Sequence, residues 1–231
     1  LSTSRGTEVR LNVGAGETYI PGFHNIDISP DADITIDLNR EQLPFEDDSV
    51  DLVFSYHTLE HVQEYLFALG EIHRVLRPGG RFLLGVPYVT LTEYHLVNPY
   101  HLHNFNEHSF SFFDPDRLKG SAGERNPIQF KKIFHRFHYM GMFHLVPPPL
   151  RGWCRRHLLN VVRKIDFGLV KIDPEAPLLI EGALGDAMRR EFQDLLRSRQ
   201  PYRRQDRVAR LSRIPGRRAL KAAWSWWNGH G

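Results

Sequence analysis

Two stretches of this chain combine residue types that carry chemistry with spacings that could bring them together. In LNVGAGETYIPGFHNIDIS, one apolar run ends in Gly14-Ala15-Gly16, and thirteen residues after Gly14 a second ends in Asp27. Missing side chains at a strand end let a ligand lie against the backbone. A carboxylate at the end of the adjacent strand can accept both hydroxyls of a ribose. Asp37, followed by Leu43-Pro44-Phe45, is placed to hydrogen-bond an adenine amino group beside an apolar wall. The second stretch concerns histidines. The chain has 13, and His57, His61, His101 and His103 gather around the same strand ends. Imidazole titrates near neutral pH, so one of His57, His101 or His103 is expected to act as a general base.

The elements that must position these residues follow from the apolar pattern. VRLNVG (9–14), HNIDI (24–28) and DITIDL (33–38) read as short strands, and VDLVFSY (50–56) as a strand buried on both faces of a parallel sheet. Residues 59–76 place Leu59, Val62, Leu66, Leu69, Ile72 and Leu76 three and four apart, a helix stopped by Pro78-Gly79-Gly80. RFLLGVP (81–87) follows as another buried strand. Strands alternating with helical stretches imply an α/β sheet with crossovers. The link from Gly16 to the second strand is too short for a crossover helix, so Tyr19 to Phe23 must cross in a turn or less. Residues 88–127 lose periodicity and read as a substrate lid or insertion. Residues 128–146 read as two antiparallel strands around Gly141, and Pro147-Pro148-Pro149 marks a boundary between a domain at 1–149 and an extension at 150–231. Within that extension, 153–170 and 183–198 read as helical and 199–221 as a basic stretch.

Composition narrows the class. The 231 residues are 41% hydrophobic and 25% charged, an ordinary globular balance. No apolar run is long enough for a membrane-spanning helix, and LSTSRGTEVR lacks the apolar core of a secretory signal. A single cysteine, Cys154, excludes a disulfide framework or a cysteine zinc cluster, and a cytoplasmic setting is expected. The net charge of +3 is uneven: residues 1–149 hold 12 Lys+Arg against 19 Asp+Glu, and residues 150–231 hold 18 against 8. Residues 189–221 alone carry 12 basic and 3 acidic side chains, and Trp224, Trp226 and Trp227 follow. That tail is expected to meet an anionic membrane surface over 189–227, at the inner face of the membrane, in preference to a nucleic acid.

LNVGAG, NIDIS, DLNREQLPFEDDSVDLVFSYHTLEHV and EIHRVLRPGGRFLLGVP, in this order over residues 9–87, resemble a class I S-adenosylmethionine-dependent methyltransferase. The resemblance implies a Rossmann-like, mostly parallel seven-stranded sheet with an antiparallel last strand, to which the chain adds a basic helical C-terminal extension. It implies S-adenosyl-L-methionine as cofactor, contacted by Gly14 and Gly16, with Asp27 on the ribose, Asp37 and Leu38 on the adenine side and Ser55, Tyr56 and His57 near the methionine. Asn12, Ala15 and Ile28, within the same motifs, complete the candidate binding set. Thr18 stands where the family carries a third glycine. A nicotinamide dehydrogenase is disfavoured, because its fingerprint needs a helix N-terminus for a pyrophosphate.

Methyl transfer needs alignment and, for a hydroxyl acceptor, deprotonation. The expected reaction is O-methylation of a sugar, a lipid-linked glycan or another small metabolite. SYHT is not the Asn/Asp-Pro-Pro-aromatic run of enzymes that methylate base amines, and Cys154 lies too far along to serve cytosine-carbon chemistry. His57 to His61 literally matches a zinc-peptidase H-x-x-E-H, but it straddles a strand end and a helix start. Glu60-His61 with His101 or His103 also resembles the divalent-cation segment of some methyltransferases, with His57 in place of its first Glu; the site is expected to be metal-free. The competing reading is a methyltransferase fold that serves as a non-catalytic scaffold.

Overall fold

Short β-rich runs become the strands of one seven-stranded sheet. The computed structural model describes residues 8–117, 127–173 and 182–202. In chain order these form β1 (Arg10–Val13), β2 (Thr18–Tyr19), β3 (His24–Asp27), β4 (Ile34–Thr35), β5 (Val50–Tyr56), α1 (Tyr65–Val75), β6 (Leu76–Pro87), β7 (Phe130–Tyr139), α2 (Pro148–His157), β8 (Val162–Lys171), α3 (Gly182–Ser198) and β9 (Gln200–Pro201). The main sheet runs β4-β3-β1-β5-β6-β8-β7, and β2 pairs with β9 in a separate ribbon. From β4 to β6 all neighbours are parallel; β8 runs antiparallel to both β6 and β7. This is the mostly parallel, seven-stranded, Rossmann-like arrangement with a reversed last strand. Parallel neighbours place the ends of β1, β3 and β5, and with them Gly14, Asp27 and His57, along one edge.

Each face of the sheet has its own core. One buries Leu11, Val13 and Val53 against Leu69 and Ile72 of α1. The other buries Leu52, Phe54 and Leu83 against Met188, Phe192 and Leu195 of α3, with Ile20 and Phe23 of the short link joining them. A parallel β1–β3 pair normally has a crossover helix over its face. Here residues 19–23 are too few to supply one, and α3 from the far end of the chain packs on that side. Asn25 ties the link down, since its side chain accepts from the Ile20 N–H and donates to the Ile20 and Phe23 carbonyls.

Several elements differ from the sequence reading. The pair of strands expected within 128–146 is a single strand, β7, followed by a short 3-10 turn at Gly141–His144. Its partner is β8, which lies in the stretch expected to be helical at 153–170. VRKIDFGLVK is almost entirely buried, so its apolar residues lack the alternation of a one-sided strand, and their spacing imitates a helix. Because β8 sits between β6 and β7, the sheet continues past the triple proline, and the boundary expected at 149/150 falls inside it. The helix expected from 59 begins at Tyr65, although Leu59 and Val62 are still buried. The strand expected over 33–38 shrinks to two residues. The insertion is partly core, with Phe105, Phe110 and Phe113 buried. Among the described residues no helix is long and apolar enough to cross a membrane. Of the basic tail and its tryptophans, residues 203–231 lie outside the described residues.

Candidate active site

The turn after β1 shows why two glycines stand so close together. Gly14 has φ +76° and Gly16 φ +60°, a region that L side chains rarely adopt. Their environments differ. A Cβ on Gly14 would lie 2.0 Å from Thr58 Oγ1, so its missing side chain makes room for Thr58. At Gly16 nothing lies within 4 Å of that position, and the backbone is open. The Gly16 N–H donates to Asp27 Oδ2 at 2.8 Å and the Ser29 N–H to Asp27 Oδ1 at 2.8 Å. Two backbone donors fix the carboxylate while each oxygen retains acceptor capacity. Next to it Ile28 is 68% exposed, an apolar surface with nothing packed over it.

The remaining expected binding residues fall into distinct positions. Ala15 and Leu38 are buried, and the Ala15 N–H is spent on the Ile26 carbonyl. Asn12 is buried with its amide donating to Asn25 Oδ1, so its side chain braces the link. Asp37 accepts from the N–H and the side chain of Asn39, and these bonds hold its carboxyl below the usual carboxylate range. Ser55 is buried with no partner for its hydroxyl among the described residues. Tyr56 and His57 reach the surface of a cleft.

That cleft has a volume of about 340 Å³. Tyr56 and His57 enter from the end of β5, Pro87 from the end of β6, Leu91, Tyr94 and His101 from the insertion, and Arg163 and Lys164 from β8. His57 has φ +56°, a backbone strain of the kind that functional sites hold. Its Nδ1 lies 3.0 Å from Oε1 of Glu60, a wholly buried carboxylate. Against an ionised Glu60, which can only accept, the neutral ring places its proton on Nδ1 and its lone pair on Nε2. This is the orientation that a histidine base requires.

His101 is set by a longer relay. Asn104 Oδ1 accepts from His95 Nε2 at 2.9 Å, and His95 Nδ1 lies 2.8 Å from His101 Nδ1. With the His95 proton on Nε2, His101 must donate from Nδ1, again leaving Nε2 unprotonated. Burial, with His61 adding to it, lowers the His101 pKa and favours that neutral form. His103 departs from expectation: its Nε2 donates to the Val62 carbonyl at 2.7 Å, its ring packs on Tyr65, and it does not line the cleft. One ligand atom each from Glu60, His61 and His101 lies within 4.8 Å of the others, so the cation grouping weighed from the sequence forms with His101 and not with His103. Such an oxygen and nitrogen set suits a divalent cation.

Sequence reasoning missed the opposite wall. Lys164 is buried, ion-paired to Asp166 Oδ1 at 3.0 Å, and its ammonium lies 4.7 Å from the centre of the Tyr56 ring. Asp166 is fully buried and also pairs with His138. The alternation of Lys164 and Asp166 was the available signal, hidden by the helical reading of that stretch. Arg199, which the sequence placed only in a basic tail, lies over the same Tyr56 ring.

Residues 24–84 match the family described as Methyltransferase domain. A demethylmenaquinone methyltransferase of Geobacillus stearothermophilus is 38% identical over 74 residues, 32% of this chain and 29% of that protein. A ubiquinone/menaquinone biosynthesis C-methyltransferase UbiE of Bartonella bacilliformis is 41% identical over 76 residues, 32% of this chain and 26% of that protein. The chain thus spans less than a third of the length of these curated relatives. Among solved structures, an S-adenosylmethionine-dependent methyltransferase of Archaeoglobus fulgidus superposes with a TM-score of 0.51 at 13% identity, covering 72% of this chain and 87% of that one. The chain therefore has the class I methyltransferase fold.

Proposed function

We propose that this chain is an S-adenosyl-L-methionine-dependent methyltransferase, acting on a hydroxylated small-molecule or glycan acceptor whose proton His57 removes. The residues present fit the cofactor. Gly16 leaves an open backbone cradle, Asp27 is fixed beside it by two N–H donors, and Ile28 offers an apolar surface for a base. Asp27 would hold the ribose hydroxyls, with Ile28 and Asp37 on the adenine side and Tyr56 and His57 toward the reacting end. When bound, the cofactor supplies a methyl group already activated on a sulfonium.

The chain's own residues do the rest. Glu60, sealed from solvent, holds the His57 Nδ1 proton and directs Nε2 into the cleft. The acceptor's hydroxyl proton passes to Nε2, and Glu60 steadies the imidazolium that results. Leu91, Tyr94 and Pro87 supply an apolar wall, and the buried Lys164–Asp166 pair keeps the opposite wall rigid. The observation that carries this reading is the His57–Glu60 pair opening on a cleft at the strand ends that also bear Gly16 and Asp27.

Incubation of the chain with methyl-labelled donor and a panel of hydroxylated acceptors tests it. His57→Gln should lower kcat by roughly 10²–10⁴-fold with donor affinity unchanged. Glu60→Gln should lower it less and shift the pH profile. Full activity in His57→Gln removes the base from the account, and an unchanged rate under chelation separates it from the cation-assisted variant at Glu60, His61 and His101. The relatives' names favour a second reading, in which the new bond is to carbon on a quinone-type ring; the position of the label in the product decides between them. The membrane partner proposed for 189–227 is tested by flotation with anionic vesicles across a salt series.

A further inference from the structure

The C-terminal segment returns to the glycine turn. In β2 and β9, Thr18 pairs with Pro201 and Tyr19 with Gln200, and the Tyr202 N–H donates to the Glu17 carbonyl at 3.1 Å. The Tyr19 hydroxyl donates to Gln200 Oε1 at 2.9 Å, and the Tyr19 and Tyr202 rings lie against each other. One residue before this ribbon, Arg199 donates from Nε to Thr18 Oγ1 at 3.0 Å. Its guanidinium carbon stands 4.9 Å from the centre of the Tyr56 ring. It therefore bridges the turn after β1 and the tip of β5, the two elements that flank the reacting end of the proposed cofactor site.

Arg199 is half-buried and has no carboxylate partner among the described residues. Arg74, Arg77, Arg81 and Arg155 each face one. Burial pulls the Arg199 pKa below its ordinary value, with only Tyr56 acting against that. A guanidinium stays charged at neutral pH, so a desolvated one without a counter-ion is costly and calls for an anion. Lys164, the other cation on Tyr56, is already neutralised by Asp166. S-Adenosylmethionine carries one anionic group, the α-carboxylate of its methionine arm, at the end opposite the adenine. If the ribose is held at Asp27 and the methyl faces His57, the Thr18–Tyr56 side that Arg199 bridges is left for that arm.

We propose that Arg199 binds the α-carboxylate of the cofactor's methionine arm, so that the C-terminal segment completes the cofactor site. A planar guanidinium matches a carboxylate with two parallel N–H donors. The inference rests on the methyltransferase reading, and the test separates the two. Calorimetry on the full chain compares S-adenosylhomocysteine with 5′-methylthioadenosine, which keeps the nucleoside and the sulfur but lacks the amino-acid end. Arg199→Met, which preserves packing over Tyr56, should weaken S-adenosylhomocysteine about 10- to 100-fold and change 5′-methylthioadenosine by less than about threefold. Arg199→Lys keeps the charge without the fork and should fall in between. Equal losses for both ligands, or no loss for either, would overturn the proposal while leaving the methyltransferase reading in place. Failure of the unaltered chain to bind either ligand would overturn both.

Discussion

Gly14 and Gly16 show one residue type meeting two different demands two positions apart. At Gly14 an alanine would combine an unfavourable positive φ with overlap of Thr58, at a cost of about 2–4 kcal/mol. At Gly16 the same change meets no neighbour and adds only backbone strain of about 1 kcal/mol or slightly more, but it places a methyl in the open cradle. Thermal melts with donor titrations should therefore show Gly14→Ala destabilised, and Gly16→Ala close to unaltered in stability with weakened donor binding. The reverse pattern would mean that the two glycines have been assigned the wrong way round. At this scale the sequence was most informative where one residue's chemistry suffices: Asp27 stands fixed beside Gly16 as its spacing implied. It was least informative where the role depends on a partner. Nothing in the sequence distinguishes Asn12, spent on Asn25, from a ligand contact, nor shows that Glu60 holds His57 while Val62 occupies His103.

Among the elements, α1 carries an acid-sensitive contact that is independent of the site. His73 packs its ring edge-on to Phe130, and burial, with Lys171 nearby, pushes its pKa down to about 4. Above pH 6.5 the residue is neutral both folded and unfolded, and its contribution is complete. As pH falls from 6.5 toward 4 the unfolded chain takes up a proton that the folded one refuses, so stability is lost over that window, by about 1–3 kcal/mol. Urea unfolding at pH 7.5 and pH 4.5 should show this loss, reduced in His73→Phe; an equal loss in both would place the acid sensitivity elsewhere. Strands β1, β3 and β5 were legible as short apolar runs, and helix α3 by its helical spacing. β8 was not, since Arg163, Lys164 and Asp166 interrupt its apolar run and leave a spacing that imitates a helix. The docking of α3 and β9 was also hidden. It depends on contacts such as Phe192 with Phe54 and Gln200 with Tyr19, between residues more than a hundred positions apart.

For the whole molecule, five of the seven strands of the main sheet and the edge that bears the site follow from 9–87, the stretch in which the family resemblance lies. The sheet closes only with β7 and β8, and the glycine turn is covered only by 182–202. The described residues after the triple proline, up to 202, are thus structural, and the acidic-to-basic asymmetry does not divide the fold there. The proposed reading makes the open Gly16 backbone and the fixed Asp27 carboxylate, on the same sheet edge as a histidine-bearing cleft, a cradle for a nucleoside. Calorimetric titration of the full chain with S-adenosylhomocysteine tests that most directly. Saturable one-to-one binding is predicted, weakened by about 1.5–3 kcal/mol in Asp27→Ala, the scale of a lost hydrogen-bonding carboxylate. Absence of binding, or an affinity indifferent to Asp27, would contradict it.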